Sequence, residues 1–228
     1  MRLRAAMNNP RSLLPLALLL GCNATYAPPV RSTHYGLPGR LAPGQGELAV
    51  AMGGPNTHGS ASLSIPIASN VRVEGTYDLS ETWHIGSAGV RGTIPLGGIW
   101  YSDLEGGVGA GVGGERCANH RDTTQVCAAG AADGLRANER FAYGGYLGGA
   151  VGLRPWRAAG FYVRVRAQLS AAQNIDPTFW GAALLGAEFA LGPVRTHLAG
   201  GAVTYVNRAE SQAGALVELG ISVPFSLR

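Results

Sequence analysis

No lysine occurs in this chain: all 18 basic residues are arginine. Soluble sheets use lysine to guard exposed strand edges, so a β protein without it must protect its edges otherwise, and a closed sheet has none. A GC-rich genome gives the same bias toward arginine. Charge is also sparse, at 14% of residues. The formal charge of +4 falls to +1 if Arg2, Arg4 and Arg11 are lost with a leader, which leaves no basic footprint for nucleic acid. No apolar run is long enough to span a bilayer as a helix. Catalytic signatures are missing too: the sequence has no G-x-S-x-G elbow, no H-E-x-x-H, no Ser-His-Asp spacing and no dinucleotide fingerprint. The glycines from Gly107 to Gly113 superficially resemble a phosphate loop but lack the GK[ST] ending and a following helix. No catalytic residue, metal or cofactor is therefore assigned. Glycine, by contrast, is abundant at 35 of 228 residues and follows no G-X-Y period, so a folded structure and not a collagen uses it. The length suits one domain.

The first residues read as an address. Arginines at 2, 4 and 11 precede a short apolar run, Ser12 to Leu20, which is the layout of an export signal. Leu19-Leu20-Gly21-Cys22 follows directly and resembles the lipobox of bacterial lipoproteins, which implies a signal peptide over 1–21 and lipidation of Cys22. Asn23 resembles the residue found after the cysteine in lipoproteins sent to the outer membrane. Three cysteines are an odd number for an exported chain. Lipidation of Cys22 accounts for one and leaves Cys117 and Cys127 for a disulfide, which would stabilise its short loop by roughly 2–3 kcal/mol. A metal site using His120 between them is the alternative, though a fourth ligand and a zinc-type spacing are missing. Residues 22–45 hold Pro28, Pro29, Pro38 and Pro43 without apolar period, so they read as a flexible periplasmic linker.

From residue 46 to 228 the apolar residues recur at every second position, the period of a strand. Val71, Val73, Gly75 and Tyr77 share one face; Arg72, Glu74 and Thr76 share the other. Continuing this reading predicts about ten antiparallel strands, with eight possible, near 46–53, 60–67, 70–77, 84–95, 99–113, 141–153, 160–171, 179–191, 193–206 and 211–225. Compact connections alternate with longer polar ones, the habit of an up-and-down transmembrane barrel with both termini on the short-turn, periplasmic side. The face opposite the apolar one collects Glu47, Arg72, Glu74, Arg91, Asp103, Glu105, Arg164, Arg166, Glu188, Arg195 and Glu218. Facing lipid, each would cost roughly 2–4 kcal/mol near the midplane, so they are expected inside, as paired charges filling the lumen. Large aromatics, among them Tyr77, Trp83, Trp100, Tyr101, Trp180 and Tyr205, gather at strand ends and are expected in two interfacial girdles.

The stretch Glu218-Leu219-Gly220-Ile221-Ser222-Val223-Pro224-Phe225 resembles the terminal insertion signal of outer-membrane barrels, carried by Gly220, Val223 and Phe225. Pro224 and the three residues after Phe225 depart from that pattern. By pattern, the chain from Gly46 to Phe225 resembles small outer-membrane β-barrel proteins. That resemblance implies outer-membrane lipid and the barrel-assembly machinery as partners, with the lipid anchor on the periplasmic side. The expected role is structural or surface-interacting, with a narrow pore for small solutes as the alternative; a soluble lipid-binding barrel is a third reading. A ten-strand count is also similar to the omptin proteases, which would give Asp78, Glu81 and His84 a catalytic meaning at the rim. No omptin motif accompanies them, and solvated loop residues are the competing reading.

Overall fold

The computed structural model describes residues 27–32, 44–53, 58–80, 83–113, 140–173, 175–208 and 211–227. Ten strands follow one another: β1 (Gln45–Gly53), β2 (His58–Ala68), β3 (Val71–Leu79), β4 (Trp83–Gly97), β5 (Trp100–Gly113), β6 (Arg140–Trp156), β7 (Ala159–Ala172), β8 (Ile175–Leu191), β9 (Val194–Val206) and β10 (Ser211–Ser226). Each pairs antiparallel with its neighbour, and β1 closes on β10, with Gln45 opposite Ser226 and Gly53 opposite Glu218. The sheet is a closed up-and-down barrel. Closure abolishes free edges, which is why the missing lysine costs nothing here.

One end of the barrel carries the tight turns. The pairs Ala68–Val71, Gly97–Trp100, Trp156–Ala159 and Leu191–Val194 each enclose two residues. At the second of these, Gly97 and Gly98 have φ of 91° and 61°, a left-handed path that lets the turn follow the twist of the strands it joins. The longer β1–β2, β3–β4, β5–β6 and β9–β10 connections lie at the other end, called here the long-loop mouth; the β7–β8 connection there, expected to be long, encloses only two residues because the strands pair up to Ala172 and Ile175. Gln45 and Ser226 lie at the short-turn end.

The strict period of two puts the two kinds of side chain on opposite faces. Leu48, Val50, Val163, Val165, Leu185, Val217, Leu219 and Ile221 are exposed on the outer face. Their alternating neighbours turn inward, so Arg72, Glu74, Arg91, Asp103, Glu105, Arg164, Arg166, Glu188 and Glu218 are buried. A soluble barrel has the reverse arrangement. An apolar band continuous around the wall far exceeds the few hundred Å² that a soluble monomer tolerates.

The inner face is not wholly polar. Tyr162, Ala182, Leu184, Ala199 and Leu216 form a buried apolar cluster. Of the aromatics expected in girdles, Tyr77, Trp100, Phe141, Tyr143, Phe161, Phe179 and Phe189 are exposed outside. Trp83 and Trp180 depart from that expectation: they share the parity of inward residues and are buried. Tyr205 meets Trp180 in a tilted ring contact at 5.1 Å, and Tyr101 lies under the Arg154 guanidinium at 5.4 Å. Parity, not closeness to a strand end, decides which solvent a ring meets.

Candidate functional site

The lumen gathers the ionic residues into one network built from β3, β4, β5 and β7. Glu105 lies at its centre. Arg166 donates to its Oε1 through Nε at 2.8 Å and Nη2 at 2.6 Å, while Arg91 Nη2 and Arg164 Nη1 reach Oε2 at 3.0 and 3.3 Å. Asp103 accepts from Arg164 at 3.0 Å and faces Arg91 Nη1 at 3.5 Å. Glu74 accepts from Arg91 Nη2 at 3.0 Å, with Arg72 Nε at 3.2 Å from its other oxygen. The register makes these contacts available. Arg72 pairs with Arg91, Arg91 with Glu105 and Arg164 with Ala150, so the charges rise on adjacent strands at similar depth. Bidentate arginine geometry then shares few carboxylates among many guanidiniums.

Seven of the eleven charges expected inside therefore meet in one cluster: Arg72, Glu74, Arg91, Asp103, Glu105, Arg164 and Arg166. The remaining four sit elsewhere on the inner face. Glu218 contacts His197 Nε2 at 3.2 Å, and the His197 ring covers Gly220 so closely that a Cβ there would collide with it. Glu188 is buried opposite His197 in the β8–β9 register, and Glu47 and Arg195 are half-buried. In the terminal stretch, Phe225 lies over Gly46 across the β1–β10 seam, and Val223 is exposed outside.

The lumen also holds a part of the chain that sequence reasoning placed in the linker. Residues 27–32 cross it as a bar near the long-loop mouth. Ala27 is fully buried against Trp83, Ile85, Ala142 and Ala172, all close to the mouth ends of their strands. Its N–H donates to Thr178 Oγ1 at 2.9 Å, and its carbonyl accepts from Trp180 Nε1 at 2.9 Å and Ser170 Oγ at 3.2 Å. Five residues on, the Ser32 N–H donates to Asp78 Oδ2 at 2.7 Å. Thr178 is on β8 and Asp78 on β3, which face each other across a ten-strand ring. Between them, Val30 rests against Gly109 and Gly144. A Cβ on Gly109 would lie 2.8 Å from the Val30 carbonyl oxygen, and one on Gly144 would lie 3.0 Å from Val30 Cγ1. These two glycines make the space that the bar occupies.

Arg31 joins the bar to the network. Its guanidinium donates to Glu74 Oε2 at 2.9 Å and to the Tyr146 hydroxyl at 3.0 Å, lies 3.9 Å from Glu105 Oε2, and sits 5.4 Å from the Tyr146 ring centre. Gln168 clasps the backbone of the same residue, accepting from its N–H at 3.0 Å and donating to its carbonyl at 2.8 Å. Each of these bonds uses a wall side chain. Neither Arg31 nor its partners Tyr146 and Gln168 stood out in the sequence. The only clue was an arginine among prolines a few residues after the expected lipid site.

Asp78 and His84, read together as a rim pair, lie on opposite faces of the wall. Asp78 is buried inside under Ser32, whereas His84 faces out and its Nδ1 lies 2.8 Å from the Tyr77 hydroxyl. Glu81, Cys22, Cys117, His120 and Cys127 lie outside the described residues. Among the described residues no group of three or more His, Cys, Asp or Glu side chains could hold a metal ion.

No protein-family model matches the chain. No curated protein matches it in sequence. Among solved structures it is similar to the N-terminal β-barrel domain of Pseudomonas aeruginosa OprF, at 7% identity over 80% of this chain and 98% of that one, with a TM-score of 0.42. It is also similar to the KdgM porin in complex with disordered oligogalacturonate, at 8% identity over 81% and 99% of the two chains and a TM-score of 0.38. The NanC porin is a third, at 10% identity over 78% and 98% and a TM-score of 0.37.

Proposed function

We propose that this chain is a non-catalytic outer-membrane β-barrel lipoprotein, acylated at Cys22, whose occupied lumen makes it a structural or surface-interacting element. The observation that carries this reading is the inverted barrel: valine and leucine outside, seven networked charges inside. Transferring the outer side chains to lipid stabilises the arrangement by roughly 1.5–3 kcal/mol for each large one, and only a bilayer supplies such a solvent around a closed wall. Membrane lipid is then the immediate partner, and the terminal stretch through Gly220, Val223 and Phe225 is what the assembly machinery would read.

A narrow pore is the second reading. The inner faces of β2, β3 and β4 present Ser60, Ser62, Ser64, Thr76 and Ser87, a lane of small hydroxyls that would suit a passing polar solute. Both readings require the same orientation of the sheet. Val165, outward and exposed at the middle of β7, tests it. Val165→Arg is expected to destabilise the folded barrel in vesicles by about 2–4 kcal/mol, while Val165→Leu leaves it unchanged. Gel migration before and after boiling reports the folded fraction. An arginine tolerated at this position as well as leucine would mean that the outer face meets water, and the membrane reading would fall.

A further inference from the structure

We infer that Arg154 and Arg195 form a binding site for the phosphate group of a soluble ligand at the short-turn end of the lumen. Both side chains are half-buried and belong to the inner face. Arg154 shares the parity of the buried Ala150 and Gly152, and its N–H donates to the Ile99 carbonyl at 2.9 Å, beside the turn closed by Gly97 and Trp100. Arg195 shares the parity of the buried His197 and pairs with Ala190, next to the turn closed by Leu191 and Val194. The two guanidiniums are close enough to repel each other.

What sets this pair apart is the lack of an acceptor. Among the described residues four arginines lie over tyrosine rings: Arg31 and Arg166 over Tyr146, Arg164 over Tyr162 and Arg154 over Tyr101. Arg31, Arg166 and Arg164 also grip carboxylates, those of Glu74, Glu105 and Asp103. Arg154 grips none, and neither does Arg195. Nε and Nη2 of Arg154 and Nη1 of Arg195 are buried without a hydrogen-bond partner. Stacking on Tyr101 fixes Arg154 through the face of its guanidinium, which leaves the N–H edge for another group. Water can accept from that edge, but it leaves two like charges side by side in a partly buried place. A phosphate answers both demands: its oxygens take paired N–H bonds, and its charge approaches that of two guanidiniums with the opposite sign. The inward orientation excludes a lipid headgroup, whose acyl chains stay against the apolar outer face, so the ligand is a soluble one.

The test is equilibrium dialysis of the folded full-length protein, in neutral detergent, against labelled inorganic phosphate, with sodium chloride holding the ionic strength constant. The expected result is saturable binding that weakens about tenfold or more in Arg154→Gln and likewise in Arg195→Gln. Binding should be unchanged in Arg157→Gln, whose arginine is exposed in the β6–β7 turn. Gel migration before boiling follows folding, and neither glutamine variant should lose it, because each removes a charge that no carboxylate holds. Binding that does not saturate, that survives either glutamine change, or that is lost equally in Arg157→Gln overturns the inference. So does loss of the fold in Arg154→Gln or Arg195→Gln, which would mean that the guanidinium serves a partner in the wall. None of these outcomes bears on the outer face, which Val165→Arg tests separately.

Discussion

Glu105→Ala should be the most destabilising single substitution in the lumen, lowering the free energy of unfolding by about 3–5 kcal/mol. The reason is arithmetic as much as geometry. Glu105 accepts from Arg91, Arg164 and Arg166 and lies near Arg31, and all five groups are buried. Among the described residues, Arg31, Arg72, Arg91, Arg164 and Arg166 crowd around Glu74, Asp103 and Glu105, so each carboxylate serves more than one guanidinium. Removing its most connected carboxylate leaves buried guanidiniums facing one another at short range, where the low dielectric makes repulsion strong. Glu105→Gln keeps the shape and loses the charge, so it should fall between alanine and the natural residue. Glu47→Ala is the control: half-buried near the short-turn end, it should cost no more than about 1 kcal/mol. Urea unfolding of the protein in vesicles, followed by gel migration without boiling, measures all three. A loss at Glu105 no larger than at Glu47 would mean that the cluster is solvated and does not hold the wall together.

Much of this architecture can be read directly from the order of residues, because a closed wall with an apolar outer face and a polar inner face repeats one physical decision at every position. The alternation of Val163, Val165 and Ala167 with Arg164 and Arg166 reports two solvents on two sides of one wall, and closure follows once no edge is left to guard. Compact and long connections give the two ends except at β7–β8, where the polar stretch expected as a long loop continues the strand pairing to Ala172 and Ile175. Parity also reveals which charges are inside, and seven of them turn out to be one network because register brings neighbouring strands to matching depth. It does not reveal which rings face out when position is used in its place: Trp180 shares the parity of Thr178 and Ala182 and so turns inward, where its indole N–H finds the Ala27 carbonyl. The bar was hidden for a different reason. Pro28 and Pro29 remove any period from the stretch. Its contacts are with residues far along the chain, 43 positions away for Glu74 and 137 for Gln168. Local pattern carries no trace of such a partner. Gly109 and Gly144 of β5 and β6 receive Val30, again a partner far along the chain that no local pattern announces.

Whether the lumen conducts depends on that bar, and the natural protein is expected to show no steady conductance in a planar bilayer. The combined change Arg31→Ala and Gln168→Ala should open it. Arg31 contributes charge-assisted bonds to Glu74 and Tyr146, and Gln168 holds the backbone of the same residue from both sides. At roughly 1–2 kcal/mol for each bond lost, net of new ones to water, the pair should shift the bar toward release by about a hundredfold or more. Glu74 keeps Arg72 and Arg91, so the wall itself should survive, and gel migration before boiling confirms that it has. Trp180 reports the bar independently of current: losing the Ala27 carbonyl from its indole N–H should move its emission to the red, a change that disappears in a Trp180→Phe background. A red shift without conductance would assign closure to the ion cluster below, and the structural role would stand. Steady conductance through the unaltered protein would instead make the hydroxyl lane of β2 to β4 a pathway and favour the pore, because the segment crossing from β8 to β3 would then not close the lumen.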